Sequence, residues 1–207
     1  FSEVERHKNL VTIFQSLDFF MLMLAARGSA NWGSPWASSG QNQAYRKSLY
    51  HSVGGFSKIS NHLQGDDSLF LQICRNNNDA KIVFVDSLKS RISARQEKKV
   101  TSLFRQRLRW AGDAKIMWKF NPLFFLSMLT AYFHTCFLSI MIVLGIYNYD
   151  YFSMMIYFLA AHIFIEFILF ISGIIYFNKK IILTDFIFWS IFHIFFIVII
   201  GTGNILI

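Results

Sequence analysis

The sequence predicts a chain in two parts: a water-soluble part of mixed helix and strand over 1–120, then a helical membrane region over 121–207. Three observations carry this. Apolar residues make up 54% of the 207, with 24 Phe and only two Pro, too apolar for an ordinary soluble domain. Charge, Gly, Ser and Asn concentrate before residue 120, whereas the remainder is almost uniformly apolar. Short helical and extended patterns alternate in the first part, and three long apolar runs fill the second.

Taken in order, Asn9–Ala26 reads as an apolar helix with a candidate C-cap at Gly28. Gln15 and Asp18 sit near its middle, and a centred Asp costs about 3 kcal/mol to insert into a bilayer, so an interfacial or core helix is expected. Ser29–Gly40 has the turn formers of a surface loop but carries Trp32 and Trp36, which can stack on sugar rings, rest at a membrane interface or fill an apolar gap. A short strand or turn is expected at Gln41–Tyr45, and a helical turn from Arg46 that Val53-Gly54-Gly55-Phe56 breaks. Gly65-Asp66-Asp67 then opens a helix, Ser68–Asn76, whose apolar residues 69, 70, 73 and 74 share a face. Lys81–Val85 reads as a buried strand. Val100–Trp118 reads as one helix with Thr101 as candidate N-cap, and surface amphipathy accounts for Arg105 and Arg107.

Three spans follow, 123–147, 151–177 and 181–207, each of about 25 residues and so long enough for a ~30 Å hydrocarbon layer with tilt. Asn148-Tyr149-Asp150 carries no cation and Asn178-Lys179-Lys180 carries two. That bias puts residues 1–120 and Lys179/Lys180 on the cytoplasmic side, and Asn148–Asp150 and the C-terminal end outside. The net charge of +8 has the same origin, because its cations cluster between Arg91 and Lys119, just before the first span. Anionic headgroups therefore explain it better than nucleic acid does. With Cys74 in a cytoplasmic part and Cys136 in a span, no disulfide is expected. His162 and Glu166, four apart on one helix face, and His134, Asp185 and His193 lie at or near membrane depth. They could form a proton or substrate path, or hydrogen bonds between helices.

The chemistry-bearing residues are Asp66 and Asp67, then Gln106, Arg109 and Trp110, which stand at i, i+3 and i+4 and share one helix face. Acidic residues at a helix start are also favoured by the macrodipole, so capping alone would account for the pair.

Together, Gly40-Gln41-Asn42-Gln43-Ala44-Tyr45-Arg46-Lys47, Val53-Gly54-Gly55-Phe56, Gly65-Asp66-Asp67 and Gln106-Arg107-Leu108-Arg109-Trp110, followed by apolar spans, resemble the membrane-associated family 2 glycosyltransferases. That family includes cellulose, chitin, hyaluronan and poly-N-acetylglucosamine synthases. The resemblance implies an α/β fold: the acceptor-side half of a GT-A nucleotide-diphospho-sugar transferase domain, ahead of a three-span membrane region. It implies a nucleotide-sugar donor, a saccharide or lipid-linked acceptor, contact with membrane lipids and no nucleic-acid partner. Asp67 matches the family's general base and Asp66 the acid before it; Gln106, Arg109 and Trp110 match its acceptor- and diphosphate-binding group. A divalent cation, Mg or Mn, would be held by carboxylates of a front half, and no ligand is assigned in this chain. Because the chain opens on Phe1, it reads as the C-terminal portion of a longer enzyme and is expected to be inactive alone. Two departures stand out: Asp86 replaces an apolar or proline-containing strand end, and Ser87–Lys99 lacks the frequent Pro-Glu-Thr turn. The competing reading is a transport or assembly subunit with a non-catalytic transferase-like domain.

Overall fold

The computed structural model describes residues 2–4, 9–62, 66–77, 80–180 and 182–206. The chain divides into two compact units, 1–126 and 127–207. Gly65, Ile181 and Ile207 lie outside the described residues.

In the first unit, β1 (Ser2–Val4) pairs in parallel with β2 (Ile92–Ala94), Glu3 opposite Ser93. These are the only strands among the described residues, and helix dominates, so the expected α/β half-domain is present only as one two-stranded parallel sheet. Lys81–Val85 is not a buried strand. Among the described residues it has no strand assignment, and Val83 and Val85 are exposed. A β-branched run forms a strand only where it joins a ladder with another edge, and the two-stranded sheet among the described residues consists of β1 and β2 alone.

α1 (Leu10–Asn31) begins where the Asn9 side chain accepts the Val11 N–H at 2.8 Å. It runs past Gly28 and ends at Trp32, where Gly33 takes φ +77°, the left-handed turn that glycine adopts without a Cβ penalty. By length and composition α1 could cross a membrane, yet Phe14, Leu17, Phe20 and Met23 are buried within the unit. Gln41–Tyr45 forms no strand: a short 3₁₀ turn covers Gly40–Asn42 and extended backbone follows. α2 (Lys47–Ser52) stops at the predicted place, because Gly54 and Gly55 take φ +82° and +58°. A Cβ on Gly55 would also lie 2.6 Å from Cζ of Tyr50. Gly55→Ala should therefore lower the thermal midpoint of the solubilised protein by an amount equivalent to roughly 1–3 kcal/mol, whereas an unchanged midpoint would show this turn to be adaptable.

α3 (Ser68–Arg75) buries Leu69, Phe70, Ile73 and Cys74, the apolar face expected from the sequence. The single helix expected over 100–118 is two, α4 (Val100–Ala111) and α5 (Ala114–Phe120), because the chain turns a corner at Gly112-Asp113. The N-cap of α4 is Lys99, which places Thr101 inside the helix.

The second unit continues α6 (Pro122–Tyr147) and adds α7 (Phe152–Phe177) and α8 (Leu183–Leu206), all long and apolar enough to cross a membrane. α7 ends at Asn178 in the left-handed conformation (φ 46°), just before the lysine pair. Small residues let these helices approach closely: Gly145 faces Met155, and Gly201 lies against the ring of Tyr132.

Candidate active site

Asp67 is the N-cap of α3, and its carboxylate is held from two sides. One oxygen, Oδ1, accepts the Ser68 N–H at 2.6 Å, and Oδ2 accepts the Gly40 N–H at 3.0 Å. Its backbone carbonyl accepts from the Ser38 hydroxyl at 3.3 Å and from the Gln43 side-chain amide at 3.2 Å. The loop that carries Gly40-Gln41-Asn42-Gln43 is thereby fastened to the start of α3. Two motifs 25 residues or so apart in sequence become one structure. Asp67 is half-buried and Asp66 exposed.

Sequence reading missed Asp113. It opens α5, three residues after Trp110, and its carboxyl is pushed up from the usual carboxylate range to about 6. Burial is the main cause, the charges of Asp67 and Asp66 add to it, and His62 opposes it. The corner between α4 and α5 thus lies within electrostatic reach of the Asp66-Asp67 pair. An acid just after a Gly at a helix start was the only signal in the sequence.

Buried amides tie α3 to the junction of α5 and α6. Gln72 of α3 donates to the carbonyls of Trp36 at 2.7 Å and Pro35 at 3.1 Å, and its oxygen accepts from Asn121 Nδ2 at 2.9 Å. Oδ1 of Asn121 in turn accepts the Phe124 N–H at 3.1 Å, capping the start of α6. Trp36 stacks on Phe124 with centroids 5.5 Å apart, so this indole fills an apolar gap, while Trp32 is exposed.

The Gln-x-x-Arg-Trp group divides. Gln106 and Trp110 face α1: Oε1 of Gln106 accepts from Gln15 Nε2 at 3.4 Å, and the Trp110 ring lies 6.3 Å from Phe19. Oε1 of Gln15 accepts the Glu97 N–H at 2.9 Å, tying the segment before α4 to α1. Arg109 is exposed. Arg107, assigned to the surface by amphipathy, is instead buried. Its Nη2 lies 2.6 Å from Oδ2 of Asp18, also buried, and its guanidinium sits 4.1 Å over the Trp110 ring. The reason is helical phase, since Leu103 and Arg107 stand at i and i+4 on the inward stripe. Asp18 in its apolar helix is thus explained by a partner 89 positions away, and Asp86 likewise pairs with Arg27 at 3.1 Å.

A cleft of about 790 Å³ in the first unit is lined by Ser38, Gln43, Arg46, Phe70, Lys81 and Val83 among others; Asp67 and Trp110 do not line it. The divalent cation implied by the resemblance does not find a fitting donor set here. No group of three or more His, Cys, Asp or Glu among the described residues is arranged to hold a metal ion.

No curated protein and no solved structure matches the chain. Residues 4–199 match the family described as glycosyl transferase family group 2, which spans both the carboxylate-bearing unit and most of the apolar helices. The chain belongs to glycosyl transferase family group 2.

Proposed function

We propose that the chain serves glycosyl transfer from a nucleotide-diphospho-sugar to a hydroxyl of a membrane-associated saccharide or lipid-linked acceptor, with inversion and with Asp67 as general base. The observation that carries this reading is the fixed Asp67 carboxylate, clamped between the N-terminus of α3 and the Gly40 loop and flanked by two further acids. An acceptor hydroxyl is a weak nucleophile. As its oxygen attacks the anomeric carbon, its proton passes to Asp67 and the nucleoside diphosphate departs with the bonding electron pair. A single displacement needs one base, unlike the paired carboxylates of retaining hydrolases. Two backbone donors do not disable the base, because a carboxylate has about four acceptor positions. They hold it in one orientation.

Trp110 offers an apolar ring face to an acceptor sugar, with its other surroundings set by Phe19 and Arg107. Arg109, exposed one residue earlier, is free to bind diphosphate oxygens bidentately and stabilise the leaving group. The two parallel strands fit a nucleotide-sugar fold of GT-A type whose larger sheet would take up Lys81–Val85. The cation-rich stretch before α6 suits a cytoplasmic placement beside anionic lipid. The reading is tested by incubating membranes that carry the full-length protein with a panel of labelled nucleotide sugars and following label into acceptor. No incorporation from any donor would overturn it.

The raised Asp113 carboxyl gives a pH prediction. A folded-state value near 6, above that of the unfolded chain, means that the folded protein binds more protons between about 4 and 6. This contribution to stability is complete below the unfolded value and is lost as pH rises through 6. Asp113→Asn, a fixed neutral analogue, should raise the thermal midpoint relative to the parent at pH 7–8 and flatten its decline between pH 4 and 6. Parallel midpoint-versus-pH curves for the two proteins would place the titration elsewhere.

A further inference from the structure

In the second unit, near the middle of three apolar helices, four titratable side chains touch in sequence. His134 on α6 places Nε2 3.2 Å from Nδ1 of His162 on α7. The other nitrogen of that ring, His162 Nε2, lies 3.4 Å from Oε1 of Glu166, one turn further along α7, at ion-pair distance but without hydrogen-bond geometry, so a small rotation of either side chain must complete this link. The same carboxylate oxygen lies 3.3 Å from Nδ1 of His193 on α8. Ser190, one turn before His193, donates its hydroxyl to Oε2 of Glu166, and the Trp189 indole stacks on the His193 ring at 4.5 Å. His162, Glu166 and Ser190 are buried, His193 is partly exposed and His134 is exposed, so the two end imidazoles reach the surface of the helix group and the centre is sealed.

Hydrogen bonding between helices would need only one such contact per helix pair, worth about 1 kcal/mol. Here the buried imidazole presents both nitrogens to titratable groups, and one carboxylate oxygen serves two imidazoles while the serine fixes the other. An ionised carboxylate at this depth costs about 2.5–3.5 kcal/mol on the insertion scale, a penalty that one shared proton removes. With no proton the cluster is an uncompensated anion. With one it is neutral, as imidazolium–carboxylate or as carboxylic acid with neutral imidazoles. With more it carries mutually repelling imidazolium groups. The remaining buried acid on α8, Asp185, sits eight residues before His193, roughly 12 Å along the axis.

We propose that His134, His162, Glu166 and His193 form an intramembrane proton-binding site, in which one proton is shared and handed between the three helices through Oε1 of Glu166. Each hand-over balances when His134 starts as imidazolium, Glu166 as carboxylate, and His162 and His193 as neutral Nε2–H tautomers: His134 Nε2 gives its proton to His162 Nδ1 and is left neutral, His162 Nε2 gives its own to Glu166 Oε1, and the carboxyl gives it to His193 Nδ1. Each intermediate residue gains one proton and gives one, and the net movement is one proton from His134 to His193. The site is independent of sugar transfer and would stand if that activity failed.

Infrared difference spectroscopy on the full chain in phospholipid vesicles, with Asp113→Asn as the parent so that the α5 carboxyl does not titrate in the same range, stepped between mildly acidic and mildly alkaline pH, tests it. The expected result is a protonated-carboxyl band that appears together with imidazole ring bands, with the carboxyl band lost in Glu166→Gln. His193→Gln, which keeps the carboxylate and serves if Glu166→Gln does not assemble, should shift the midpoint of that band by about one pH unit or more, because interacting groups titrate together. Absence of a pH-dependent carboxyl band in the parent, a band that persists in Glu166→Gln, or an unmoved midpoint in His193→Gln would each overturn the proposal.

Discussion

Asp67→Asn should reduce sugar transfer by about 10²–10⁴-fold, the usual contribution of a general base, while leaving nucleotide-sugar binding largely intact. The substitution suits the site because the amide oxygen can still accept one of the two backbone N–H groups that now clamp the carboxylate. Rotation of the amide brings its NH₂ toward the other N–H, so a modest loss of stability accompanies the variant, about 1 kcal/mol for a cap of this kind. The two effects separate cleanly in membranes: donor binding measured by competition reports the folded fraction, and turnover per bound donor reports the base. If turnover per bound donor matched the parent, Asp67 would be a capping residue only, and the acid–base role would have to be sought elsewhere, with Asp113 first in line.

Asp18→Leu should destabilise the first unit by about 3–5 kcal/mol, since it leaves the buried Arg107 guanidinium without its counter-charge. Arg107→Met should cost a similar amount by stranding Asp18 and should also remove the cation from the Trp110 face. The double variant Asp18→Leu/Arg107→Met should recover most of the loss, because two apolar groups of similar size need no compensation. Thermal midpoints of the four proteins in one detergent form the cycle that checks this, and additive losses in the double variant would show that the pair is not coupled. The consequence for activity follows from geometry. Arg107 sits between Asp18 and Trp110, and Gln106 is tied to Gln15, so α1 is the wall that orients the Gln-x-x-Arg-Trp face.

Local periodicity made several elements legible in the sequence. The apolar spacing 69, 70, 73, 74 fixed the face of α3, the Gly54-Gly55 pair ended α2, and sustained hydropathy located α6 to α8 within a few residues. Features set by distant partners were not legible. Lys81–Val85 has the composition of a strand, but strand formation requires another edge, and composition cannot report one. Arg107 looked like one more surface cation because the pattern gives a helix phase only to within a residue, and its partner Asp18 lies in another helix. The signal was present in Asp18 itself, since a carboxylate inside an apolar helix demands a buried cation somewhere. At the site, Asp67 stood out through its neighbours in sequence, and its clamp to Gly40 did not, because hydrogen bonds across 27 residues leave no periodic trace. In the same way the spacing of His162 and Glu166 showed one helix face, while the joins to His134 and His193 emerge only when three helices pack.

The stereochemistry of the transferred sugar tests the central claim most directly. Membranes carrying the full-length protein would be given the nucleotide-sugar donor that supports incorporation, and the anomeric configuration of the new linkage would be read by nuclear magnetic resonance. A single displacement assisted by one carboxylate predicts a configuration opposite to that of the donor. Retention would require a covalent intermediate and a second carboxyl group acting as nucleophile, and would contradict the role given to Asp67.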